Sequence, residues 1–382
     1  MGYCTKRSNT NNIVYSFIIF YLLLGTFFSS LSFLSFIDEI SILLIICYIF
    51  TKKNKTLFRN KEFYFFILIF IFYYIYSILY SANHNIIAIT LDAFQQIKPF
   101  IAFYAIKIIG FESRPHSSIK QLSIFLACLS FIIYVISGPY GFFNHPANYG
   151  NTIFIFGLTS FYFSHRNPRD KKIFILILIL GLLCNRSKYY AEFLIATYLL
   201  FFNKEHIKFN IKYLCILIPL GIIGYWIIES KFNLYLNGLE TGEARTILYA
   251  IMPTIFIDYF PFGSGFASFA TWFSGVYYSP LYEQYNIQYI YGMSEDYYDF
   301  IADTYFPVLA EFGIIGVLLF FIFWGKRYKE AKSNKNIINY QISVLIISYF
   351  LIESFAAPTF VTNYAIIPMM IIASTLYYGK NT

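Results

Sequence analysis

The chain has 382 residues, of which 58% are hydrophobic and only 13% charged, with a formal net charge of +8. Apolar runs of about 20 residues recur from end to end, which excludes an ordinary soluble globular protein and points to an integral membrane protein. The basic excess lies in short connections between these runs, so it is a topology signal rather than the footprint of a nucleic-acid binder.

The first apolar run, IVYSFIIFYLLLGTFFSSLSF, follows Lys6 and Arg7. It is too long for a signal-peptide core and no small-x-small site follows it, so it is expected to remain as an anchor. In chain order, twelve spans are predicted near residues 13–34, 37–51, 62–81, 86–108, 119–137, 148–165, 172–184, 188–203, 211–229, 305–325, 338–354 and 362–379, making residues 1–382 a single all-α polytopic membrane domain. Basic clusters fall at 6–7, 52–61, 107–120, 166–172, 204–212, 326–335 and Lys380, and hold 23 of the 28 Lys and Arg. With twelve spans all of them share one side, which the positive-inside rule assigns to the cytoplasm together with both termini.

The remaining five cations are Lys98, inside span four, and Arg186, Lys188, Lys231 and Arg245, on the opposite side or its boundary. Cations there read as ligands for an anion, or as isolated exceptions to the rule. Also on that side lies the longest non-spanning segment, residues 230–304 between spans nine and ten, and connections of this length are usually functional. It carries eight acids and eleven tyrosines. The tyrosines suit either a glycan-binding surface or an interfacial aromatic belt.

Several chemistries have no signature. There is no P-loop, and GSGFAS at 263–268 lacks the strand-helix-strand context of a dinucleotide fingerprint. The five cysteines are scattered, mostly within apolar runs, and no His or Cys pair has zinc-ligand spacing. The acid pairs in IDEI (37–40) and SEDYYDF (294–300) suit a divalent cation or, more commonly, helix caps and solvated loops. No metal or other cofactor is expected.

The polar residues on the outer side form a small set. GFFNHPANYG (141–150) places His145 before Pro146, a turn and helix start as it stands. NRSKYYAEF (185–193) sets Arg186 and Lys188 at the mouth of span eight, as phosphate ligands or as snorkelling anchors. Arg245 opens a helix-like run that ends in FPFGSGF. In ADTYFPVLAEFGIIG (302–316), Pro307 sits in the first turn and Asp303 near the cap, so a positive helix end would face outward. Glu311 lies about 12 Å deeper at 1.5 Å per residue. An acid at that depth is expected to pair with a polar group of the bundle.

Together, the Arg-led segment, DYFPFGSGFASF and ADTYFPVLAEFGIIG resemble the signature of the O-antigen polymerase (Wzy) and O-antigen ligase superfamily. Its pattern runs Pro-x-x-Gly-x-Gly-x-x-x-Phe, a long external stretch, then His-Asn-x-Tyr-Leu-x-x-Leu-Ala-Glu-x-Gly-x-x-Gly. Tyr305, Leu309, Ala310, Glu311, Gly313 and Gly316 match it position by position, whereas Ala302 and Asp303 replace the His-Asn pair. The spacing from Arg245 to the next glycine also departs from the family's Arg-x10-Gly form. Absence of the histidine favours a polymerase over a ligase.

The resemblance implies a GT-C-like, metal-independent glycosyltransferase in the bacterial inner membrane, acting at its outer face on an undecaprenyl-pyrophosphate-linked oligosaccharide, with membrane lipid and a chain-length regulator protein as further partners. On that basis Arg245 and Asp303 are the expected catalytic pair, Asp303 as base. Arg186, Lys188 and His145 would join Arg245 in holding pyrophosphate, while Tyr305, Glu311, Gly313 and Gly316 would support the site. The alternatives are a ligase with the same chemistry and another acceptor, and a lipid-linked oligosaccharide flippase, which should show two related halves; none are visible in the sequence. A non-enzymatic scaffold would leave the outer arginines and the acid of span ten without a purpose.

Overall fold

A computed structural model describes residues 2–31, 34, 36–51, 61–111, 114–202 and 242–378. The described residues are helical, without a strand. Five helices are long and apolar enough to cross a membrane: Lys61–Tyr80, Ile86–Ile109, Ser117–Ser137, Phe306–Lys332 and Ile337–Ala356. Shorter apolar helices cover Asn11–Phe27 and Asn363–Tyr377. Helices Pro146–Tyr162, Pro168–Gly181 and Ser187–Thr197 occupy the positions expected for spans six to eight but are 17, 14 and 11 residues long. Predicted span nine, Lys231 and residues 230–241 of the long connection lie outside the described residues.

The helix ends follow from local chemistry. Asn85 and Asn336 each accept two backbone N–H groups as N-caps, Asn167 and Asp170 form a capping box, and Pro146 and Pro168 stand in first turns. Helix Ile86–Ile109 ends on Gly110 in the left-handed conformation.

The interior is built by Ile86–Ile109, Pro146–Tyr162, Ile337–Ala356 and Ile366–Tyr378, each buried along much of its length. Helix Lys61–Tyr80 is peripheral, with only Tyr73 and Ser77 buried. Its exposed face of Phe65, Leu68, Phe72 and Leu79 is what a helix surrounded by lipid presents.

Residues 242–304 of the long connection fold into helices Ala244–Asp258, Trp272–Val276 and Leu281–Gln284, the first of them the helix-like run expected from Arg245, and bury Phe266, Phe269, Tyr282, Met293 and Ile301. One expectation changes at this level. Lys98 lies 2.5 Å from Asp38 and 2.7 Å from Glu39. Its anion is therefore internal, and the IDEI acids serve that lysine.

Candidate functional site

The FPFGSGFASF turn and the start of the tenth predicted span are one structural unit. Residues Phe306–Phe312 form a 3-10 turn, and the α-helix begins only at Gly313. Ser264 N donates to the Ala310 carbonyl at 3.2 Å and Gly265 N to that of Glu311 at 2.9 Å, so the turn pairs with the helix start backbone to backbone. Gly263 and Gly313 face each other at positive φ: a Cβ on Gly263 would come within 2.2 Å of Gly313 N, and one on Gly313 within 2.4 Å of Gly263 N. Only hydrogen fits there. Gly313 thus admits this loop, while a Cβ on Gly316 would press on the Phe312 side chain and come within 3.6 Å of the Tyr73 hydroxyl of helix Lys61–Tyr80.

An irregular loop buried in an apolar bundle must find partners for its amides. Ser77 Oγ accepts from Phe266 N at 2.9 Å, Asp92 Oδ2 from Ala267 N at 2.9 Å, and Glu311 Oε1 from Ser268 N at 2.7 Å and Phe269 N at 2.9 Å. On the carbonyl side, Asn83 donates to Ala267 O, Ser81 to Phe266 O and Tyr76 to Gly263 O. Tyr73 donates to Phe312 O at 2.8 Å, closing the far edge. Glu311 and Asp92 are fully buried and in contact with one another. The acid of span ten is thus the amide acceptor of the glycine-rich loop. Asp92 escaped sequence reasoning, although an acid within an otherwise apolar span is the same signal that exposed Glu311.

The polar residues expected on the outer side converge around the ends of helices Pro146–Tyr162, Ser187–Thr197 and Ala244–Asp258. Arg245, in the first turn of its helix, places Nε and Nη2 each 2.7 Å from Asp303 Oδ2, an ion pair in which both side chains keep partial exposure. Arg186, the N-cap residue of Ser187–Thr197, brings Nη2 to 2.9 Å from His145 Nε2. Lost hydration, followed by the charges of Arg186 and Lys188, holds the His145 imidazole below its usual value, with Asp303 and Arg245 also within electrostatic reach. These five residues therefore share one field.

Lys188 is committed elsewhere: its Nζ is 2.8 Å from Glu353 Oε2, which also accepts from Thr359 and, at 3.4 Å, from Asn151. Glu353 is fully buried and touches buried Glu192. Neither acid was singled out from sequence, since Glu353 stands 165 residues from Lys188 and it is Glu353 that Glu192 lies against. Tyr305 donates to Gln96 Oε1 at 3.2 Å and anchors its own N–H on Ser354 O at 3.1 Å, which ties the strand of chain carrying Asp303 to helix Ile337–Ala356.

The His145–Arg186 contact has a chemical consequence. His145 Nδ1 accepts from Ala147 N at 3.2 Å, and Arg186 has only hydrogens to offer at Nε2. A neutral imidazole has one acceptor nitrogen, so the two donors compete for it. An oxyanion beside Nε2 removes the conflict: Nδ1 keeps its amide, and Nε2–H and Arg186 both donate outward.

No protein-family model matches this chain, and no curated protein matches it.

Proposed function

We propose that this protein is a polysaccharide polymerase of the O-antigen type, transferring a growing glycan from undecaprenyl pyrophosphate to the next lipid-linked repeat unit at the outer face of the bacterial inner membrane. The observation that carries this reading is the convergence of Arg186, His145, Arg245 and Asp303 beside the packed FPFGSGF and LAEFGIIG motifs. In this reading the bundle has the twelve spans and GT-C-like organisation that the resemblance implies, with both termini in the cytoplasm.

The reaction needs a proton acceptor for an incoming hydroxyl and positive charge for a departing pyrophosphate. Arg245 and Asp303 hold both in one ion pair. Pyrophosphate binding draws the Arg245 guanidinium, a planar fork suited to phosphate oxygens, away from Asp303. The freed carboxylate then takes the proton of the acceptor hydroxyl as its oxygen bonds to the anomeric carbon. The bond from that carbon to the pyrophosphate oxygen breaks, its electron pair leaves with the pyrophosphate, and Arg245, Arg186 and His145 stabilise the charge. Lys188, held by Glu353, supplies field rather than a direct ligand.

Deleting the gene and separating surface polysaccharide by gel electrophoresis tests the proposal. A polymerase leaves a core bearing one repeat unit; complete absence of surface glycan indicates a flippase or ligase, and an unchanged ladder rejects all three.

A further inference from the structure

A groove of about 260 Å³ opens between helices Lys61–Tyr80, Ile86–Ile109 and Phe306–Lys332, running from Glu62 and Lys326 at one end to Tyr305, two residues from Asp303, at the other. Its walls are Phe66, Phe70, Phe100, Leu319 and Phe320, and its rim includes the exposed Phe65 and Ile322. Because all three helices are apolar enough to span, the rim faces lipid. The groove runs from Glu62 to the level of Tyr73, eleven residues or about 16 Å along the helix, roughly half of a 30 Å hydrocarbon core. Gln96 and Tyr305, hydrogen-bonded to each other, lie at its inner end.

The polar end is unusual in its charge. Lys107 at 3.2 Å, Lys326 at 3.4 Å and Arg327 all converge on the single carboxylate of Glu62. Arg327 is fully buried, stacked 5.0 Å from the Phe103 ring centroid and 5.1 Å from that of Phe323, and its Nη1 has no hydrogen-bond partner among the described residues. Glu330 adds one more acid beside Arg327 at 3.4 Å. Among the described residues, three cations against two acids leave a positive surplus, and Lys326, half exposed, carries it to the rim.

We propose that this groove binds one acyl chain of an anionic phospholipid drawn from the leaflet on the Lys326 side, the cytoplasmic leaflet by the distribution of basic clusters, with the headgroup phosphate on Lys326. Depth argues for an acyl chain, since the groove reaches about one leaflet. Charge argues for an anionic headgroup, each interfacial cation adding attraction to an acidic lipid surface. The proposal uses the sidedness of the chain and does not depend on the polymerase reading.

Native mass spectrometry of the full-length protein, delipidated in detergent and then offered phosphatidylglycerol or phosphatidylethanolamine, tests it. The wild type should retain one phospholipid and favour phosphatidylglycerol. Ile69→Trp and Leu319→Trp, which fill the groove from opposite walls, should each lower occupancy about tenfold, and Lys326→Gln should erase most of the headgroup preference while the chain still binds. Failure of the wild type to hold phospholipid overturns the proposal. So does equal occupancy in monodisperse Trp variants, or retention of a polyisoprenyl phosphate in place of the phospholipid.

Discussion

Glu311 uses a single carboxylate oxygen to accept from two consecutive backbone amides, Ser268 N and Phe269 N. Glu311→Gln keeps an acceptor oxygen there and should fold near wild-type level. Glu311→Ala orphans both donors at about 1 to 3 kcal/mol each, and should sharply lower the melting temperature and the amount of protein in the membrane, read by fluorescence-detected size exclusion. Arg245 and Asp303 are a different case, because their ion pair is partly exposed and such pairs contribute little to stability. Arg245→Ala and Asp303→Asn should leave membrane abundance intact and cut polymerisation by about 10² to 10³. The exchange Arg245→Asp with Asp303→Arg should rebuild the pair without restoring polymer, which separates chemistry from packing. For His145, the depressed imidazole means that the unfolded chain takes up a proton near pH 6.5 which the folded chain resists. Its contribution to stability is therefore lost as pH falls below that value and is constant above it. The melting temperature of the wild type should therefore fall as pH drops below 6.5, and fall less in His145→Gln.

At the scale of elements, the interlock of the glycine-rich turn with the start of helix Gly313–Lys332 carries the site, because it sets where the chain from Asp303 to Tyr305 emerges. Gly263→Ala combines a positive φ with a 2.2 Å approach to Gly313 N and has no flexible side chain to push aside. It should cost several kcal/mol, in the class of severe backbone lesions at about 4 kcal/mol or more, and be seen as loss of folded protein rather than of turnover. The 3-10 turn Phe306–Phe312 explains why this start differs from a simple helix mouth: its carbonyls are turned toward the incoming loop, where Ser264 and Gly265 use them. Periodicity alone reads the same residues as the first two turns of a span. The apolar pattern is continuous across Gly313, and only the distant partner reveals the break.

For the whole molecule, the helical class and the apolar helices were legible from composition and run length, since a bilayer leaves a chain few other solutions. Among the site residues, Arg245 and Arg186 stood out because cations are rare on the outer side of the predicted spans, Asp303 because it stands just ahead of the Tyr305–Gly316 motif, and His145 because it precedes the helix start at Pro146. Asp92, Glu192 and Glu353 did not, as each has a partner far away in sequence and the surrounding pattern is that of an ordinary helix. Lys98 misled for the same reason, its neutralising acids lying about 60 residues upstream. The central claim is that Arg245 and Asp303 act together on a pyrophosphate-linked glycan. Purified protein in proteoliposomes, supplied with lipid-linked repeat units and sampled over time, tests it most directly. Wild type should build a ladder and release undecaprenyl pyrophosphate in proportion, while Arg245→Ala at equal abundance does neither; a normal ladder from Arg245→Ala, or none from a well-folded wild type, would contradict the claim.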